Sequence, residues 1–163
     1  MIKTFRTGAI GALLDEYEKA ISELQQVIND LSNEELIKIV DSKTLDSNCI
    51  SIQTILSHVI RSGYGYAIYI QNLKKPKIDH PKSSFHLSVK DYQKDLKDIF
   101  SFTIDTFKNI NDIEVDQFDD SKKIITSWGQ VYDIEQITEH AIVHILRHRR
   151  QIEKFKLALR LKN

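Results

Sequence analysis

Apolar residues recur at alternating three- and four-residue steps through nearly all of this chain, the period of one face of an α-helix. Over residues 8–31 the stripe is Leu13, Tyr17, Ala20, Leu24, Val27 and Leu31. Ser32 and Glu35 then stand as a capping box, which predicts a short helix restarting there. Residues 41–49 are polar and turn-rich and read as a linker. A second long segment, 51–73, opens on Ser51 as N-cap and carries Ile52, Ile55, Val59, Tyr66 and Ile70 on its core face. Gly63 and Gly65 interrupt it, permitting either a close helix contact or a kink. Both prolines fall in the loop 74–87. The third segment, 88–110, is capped by Ser88 and buries Tyr92, Leu96, Ile99, Thr103, Phe107 and Ile110. Residues 111–133 break the pattern, and "KIITSWGQVY" fits a short hairpin or extended loop. The fourth segment starts at Asp133, with Gln136 three residues on, and runs to about residue 160.

Four segments of about 25 residues, each roughly 35 Å long as a helix, predict an all-α four-helix bundle with a short hairpin or extended loop before the last helix. Residues 1–163 make a single domain of ordinary size. The longer linkers before the second and fourth segments leave room for a crossover, so the order of the helices stays open.

Twenty-three basic residues balance twenty-three acidic ones, so no bulk charge draws the chain to nucleic acid or an anionic membrane. The basic stretch 147–163 suits the C-terminal end of a helix macrodipole. The N-terminal 21 residues lack a long apolar run, and they read as neither a signal peptide nor a membrane span. A single cysteine, Cys49, rules out an intramolecular disulfide and a cysteine-rich zinc module. A cytoplasmic protein is expected. Cys49 precedes a helix N-terminus, where a thiol pKa can fall, though a surface linker cysteine is the plainer reading.

Half of the six histidines lie within nine residues of the last segment, as His140, His144 and His148. Residues four apart on a helix differ by about 40° and about 6 Å, so two such histidines can converge on one ion. Residues eight apart are about 12 Å apart along the axis, too far to share an ion whose His ligands sit at about 2.0–2.1 Å. Two of the three can therefore chelate, and another element must supply the next ligand. Ile134, Ile137, Ala141, Ile145, Ile152, Phe155 and Leu159 mark the buried face, with His148 in its middle, His144 to one side and His140 on the flank. The pair His144/His148 is the better inward-facing chelate. His140 can bracket the site, donate a hydrogen bond, or do nothing. His80 and His86 lie in the proline-containing loop, whereas His58 lies on the flank of the second segment's stripe. A satisfied core histidine is the alternative for each of them taken singly.

"SIQTILSHVIRSGYGYAIYI", followed late in the chain by "EHAIVHILRHRRQI", resembles the DinB/YfiT-like family of metal-dependent proteins over essentially the whole chain. The resemblance implies a four-helix bundle holding a divalent ion, zinc or nickel, on one histidine of the second long helix and two of the last. Carried over by motif, these are His58, His144 and His148. Arg150 departs from the family pattern, which often has a small residue there; a long cation at that place can narrow a cleft or pair with an acidic group. Three neutral imidazoles leave an ion at least one open position, the mark of a catalytic rather than a closed structural site. Such a position can lower the pKa of bound water or take a thiolate. The resemblance further implies thiol-dependent S-transferase or isomerase chemistry, with a low-molecular-weight thiol as co-substrate, and the leading expectation is a thiol-dependent S-transferase or a hydrolase acting on a small molecule. The alternative is a non-catalytic bundle that binds a metal or ligand or serves as an interaction module. Glu135 and Glu139 project away from the His148 face, leaving no evident general base on the last segment. Trp128 and Tyr132 can wall a pocket, though ordinary packing also accounts for them, and Tyr64, Tyr66 and Tyr69 divide between core and interface.

A homodimer is also expected. Ile60, Tyr64 and Ile68 lie opposite the core stripe of the second segment and would face water, with Gly63 and Gly65 admitting a partner's backbone. The competing possibility is that a loop of the same chain covers that face.

Overall fold

A computed structural model describes residues 4–74 and 78–161; Met1 to Lys3, Lys75 to Lys77 with Pro76 of the loop, and the last two residues of the basic tail lie outside the described residues. Four long helices, α1 (Gly8–Ile28), α3 (Ile52–Gln71), α4 (Val89–Phe107) and α5 (Ile134–Arg160), with the short α2 (Asn33–Ile37), form an all-α bundle. The one sheet among the described residues is a two-stranded hairpin, β1 (Ile124–Ile125) with β2 (Val131–Tyr132), just ahead of α5. Gly129 in its turn has φ +86°, a conformation that glycine adopts without a Cβ clash.

The helices start where their caps predict. Ser32 with Glu35, Ser51 with Thr54 and Asp133 with Gln136 each close a reciprocal capping box, and the Ser88 side chain accepts from the Lys90 amide. Each box satisfies backbone donors that a helix start leaves unpaired. The apolar stripes turn inward as their spacing requires. Tyr17, Leu24, Ile52, Ile55, Tyr92, Leu96, Ile99, Ile137 and Ile152 are among the most deeply buried side chains.

Side-chain pairings fix the topology. Gln25 and Gln93 exchange hydrogen bonds while Tyr17 stacks on Phe100, so α1 and α4 run antiparallel. Arg149 bonds Glu23 and Lys156 bonds Asp30, so α1 and α5 run parallel. Ser57 meets Tyr92, and Gln71 meets Thr106, which makes α3 parallel to α4. His58 packs on His148 and Tyr66 on His140, which makes α3 antiparallel to α5. The order around the bundle is α1, α4, α3, α5, with directions up, down, down and up along the sequence. The α3–α4 connection must therefore return along the whole bundle, and it runs against α3: Ser84 O accepts from Ser57 Oγ, His86 O from Gln53, and His80 rests on Tyr69.

That return corrects one expectation. Ile60 and Ile68 are buried, not water-facing, and Tyr64 packs its ring on Phe102 of α4 at 5.1 Å. The glycines admit neighbours from the same chain. A Cβ on Gly63 would lie 2.8 Å from Ile99, and one on Gly65 would lie 2.8 Å from the His80 ring. With α3 unbroken from Ile52 to Gln71, they serve close contact and do not end the helix. The face expected to join two copies is covered by α4 and the loop.

Candidate metal centre

α5 sets His144 and His148 one turn apart, and antiparallel α3 brings His58 against both. The ligand nitrogens of the three lie within 4.8 Å of one another, and among the described residues this is the one group of histidine, cysteine or acidic side chains arranged to hold an ion. His58 Nε2 and His144 Nε2 are 3.0 Å apart. Two nitrogens on one tetrahedral ion at 2.0–2.1 Å stand roughly 3.3 Å apart, so a small rotation of either ring suffices. The ring centroids of His148 lie 5.0 Å from His58 and 4.5 Å from His144.

His148 is fully buried, and its two nitrogens have different fates. Nδ1 donates to Gln151 Oε1 at 3.0 Å. Gln151 Oε1 cannot donate, so this bond fixes the proton on Nδ1 and leaves the Nε2 lone pair free. That Nε2 is buried with no hydrogen-bond partner. An orphaned buried acceptor costs about 1–3 kcal/mol, and a cation satisfies it. The donor set fits a divalent ion of borderline softness, as zinc and nickel are.

Burial, reinforced by the neighbouring positive groups, pushes His144 down to about 2, and burial pushes His148 down to about 4 against the Gln151 bond. Burial also lowers His58, where Asp46 opposes the shift and Arg147 and Arg61 add to it. All three are then neutral near pH 7, the form that ligates.

The surroundings divide into two sides. On one, the thiol of buried Cys49 points to Gln151 Oε1 at 3.7 Å and Asp46 Oδ2 at 3.4 Å. Burial raises this thiol's pKa. Cys49 is thus neither a surface linker residue nor an activated nucleophile. On the other side, Tyr66 sets its edge against His144 and His140, at 5.7 and 5.4 Å. Trp128 stacks on His140 at 6.0 Å, and Tyr132 Oη lies 3.2 Å from His140 Nδ1. His140 therefore brackets the centre and takes its contacts from the hairpin, which makes Trp128 and Tyr132 parts of the wall.

The remaining candidates fall elsewhere. His86 Nε2 pairs with Asp95 at 2.7 Å, and His80 packs against Tyr69 and Gly65. Arg150 is exposed beside Arg147, Gln151 and Lys154 and has no acidic partner among the described residues. Glu139 is exposed and Glu135 half-buried, and neither joins the cluster. The sequence reading missed Gln151, Arg61 and Arg147. Each stands three residues after a candidate ligand, the spacing that shares a helix face, so the signal was present.

No protein-family model matches the chain, and no curated protein matches it at a significant level.

Proposed function

We propose that this chain is a divalent-metal protein whose His58, His144 and His148 hold zinc or nickel, and that it is an enzyme acting on a small molecule. The observation that carries the reading is the buried, partnerless Nε2 of His148, aimed at two further imidazoles while Gln151 holds its other nitrogen. An unsatisfied acceptor at the centre of a packed bundle is destabilising unless something occupies it. A bound divalent ion supplies a Lewis acid with at least one position open to substrate. The chain's own residues do the rest. α3 and α5 bury His148 and half-bury His58 and His144, Gln151 orients His148, and Tyr66, Trp128 and His140 shape the approach. The resemblance to DinB/YfiT-like proteins supports a thiol-dependent S-transferase or hydrolase, with a low-molecular-weight thiol as co-substrate. A cytoplasmic setting, which keeps the buried Cys49 a thiol, accords with that chemistry. Among the described residues no helix is long and apolar enough to cross a membrane.

One observation favours a second reading. Among the described residues no carboxylate joins the three histidines, so none there stands as a general base, as a non-catalytic metal- or ligand-binding bundle would allow. Metal analysis of purified protein tests the centre: His58→Ala, His144→Ala and His148→Ala are expected to lose the ion and His140→Ala to keep it. Stoichiometric metal in His148→Ala sinks the assignment. A screen of zinc- and nickel-loaded protein against electrophiles with several thiols then separates the enzyme from the binding bundle, which turns none of them over.

A further inference from the structure

Two cations at the mouth of this centre have no acidic partner among the described residues. Arg61 follows His58 by three residues on α3, Arg147 follows His144 by three on α5, and both are exposed. The other arginines that pair are Arg6 with Asp15 and Glu18, Arg149 with Glu23 and Glu153, and Arg160 with Asp30 and Glu35. The two stand on different sides of the cluster: Arg61 faces the hairpin, and Arg147 lines a groove with Asp46, Cys49 and Gln151.

An exposed arginine alone needs no explanation. Arg61 also lines a cavity of about 200 Å³ between α3 and the hairpin, with Ser62, Tyr66, Tyr69, His80 and Trp128. Tyr66 separates this cavity from His144, so one wall serves both. An open groove of about 690 Å³ continues it outward past Arg61, Tyr69 and His80. The acids nearby do not neutralise Arg61. Asp79 stands on the outer groove and makes no ion pair with it, and Asp46 is committed to Asn48 and Cys49. A free guanidinium beside aromatic faces selects a ligand with an anionic end and an apolar body, since the fork pairs with a carboxylate while the rings bury the remainder. The same rings would suit a cation, but the unpaired positive charge repels one.

Resting on the metal-centre reading, we propose that the ligand of this site is a small organic acid with an apolar, preferably aromatic, body. Arg61 holds its carboxylate, and Tyr66 and Trp128 bury its body beside His144. Trp128 is the only tryptophan in the chain, so its fluorescence reads occupancy directly. Metal-free and zinc-loaded protein are titrated with phenylacetate, 2-phenylethanol and 2-phenylethylamine. Phenylacetate is expected to bind about tenfold more tightly than the alcohol, with the amine weakest, whether or not zinc is present. Arg61→Gln brings phenylacetate to the alcohol's affinity. Equal affinities, a preference that survives Arg61→Gln, or no fluorescence response at millimolar ligand overturns the proposal. Zinc content is measured on the zinc-loaded samples: an acid preference in protein that takes up no added zinc retires the metal centre alone, and bound zinc without the preference retires the acid site alone.

Discussion

Gln151 Oε1 receives both the His148 ring proton and the Cys49 thiol, so one side-chain oxygen joins the last helix to the linker before α3. An orienting partner of this kind is worth about 10–100-fold in metal affinity. Gln151→Leu should weaken zinc by that factor in a competition with a chromophoric chelator, while Gln151→Glu, which keeps the acceptor, should hold it. Unchanged affinity in Gln151→Leu means the carbonyl does not orient the ring. Protons compete at the same atoms. His148 titrates near 6.5 in the unfolded chain and at about 4 when folded, so between those values the unfolded chain binds more protons. Stability is then fully present above about pH 6.5 and is lost as pH falls toward 4, by about 2 kcal/mol at pH 5 for this fully buried ring. Thermal melts of metal-free protein at pH 7 and pH 5 should show that loss; a melting temperature unchanged between them contradicts it.

α3 shows how an element's surroundings change its reading. Periodicity marks Ile52, Ile55, Val59, Tyr66 and Ile70 as its core stripe, and all five are buried. The same pattern leaves Ile60, Tyr64 and Ile68 toward water, yet α4 and the returning loop take that side too. A helix apolar on every side is a buried one, and that rule was the available signal. Ile68→Glu should therefore unfold the protein, at a cost of about 4 kcal/mol or more, rather than release a monomer. A folded Ile68→Glu monomer derived from a wild-type dimer would restore the interface. Gly63→Ala tests the close approach: its Cβ meets Ile99 at 2.8 Å, and a loss of about 1–3 kcal/mol in urea denaturation is expected.

Across the whole molecule, the ion would tie α3 to α5 and so stabilise the folded state only. At free zinc a hundred times its dissociation constant the gain is about 2.7 kcal/mol. Zinc should raise the melting temperature of wild-type protein, a chelator should reverse the rise, and His148→Ala should show none. An equal rise in His148→Ala would place the stabilising ion elsewhere. The sequence by itself determined the helical segments, their caps and the inward place of His144 and His148, because each follows from residues within a few positions of one another. Spacing alone left His58 a weak candidate that a resemblance strengthened, since no local pattern says which helix will lie antiparallel to α5. Only the tertiary structure decided the order of the bundle, the covering of α3, the orphaned nitrogen of His148 and the meeting of Arg61 with Trp128. Each of these joins residues distant in the chain, and packing of the faces, not periodicity along them, brings such residues together.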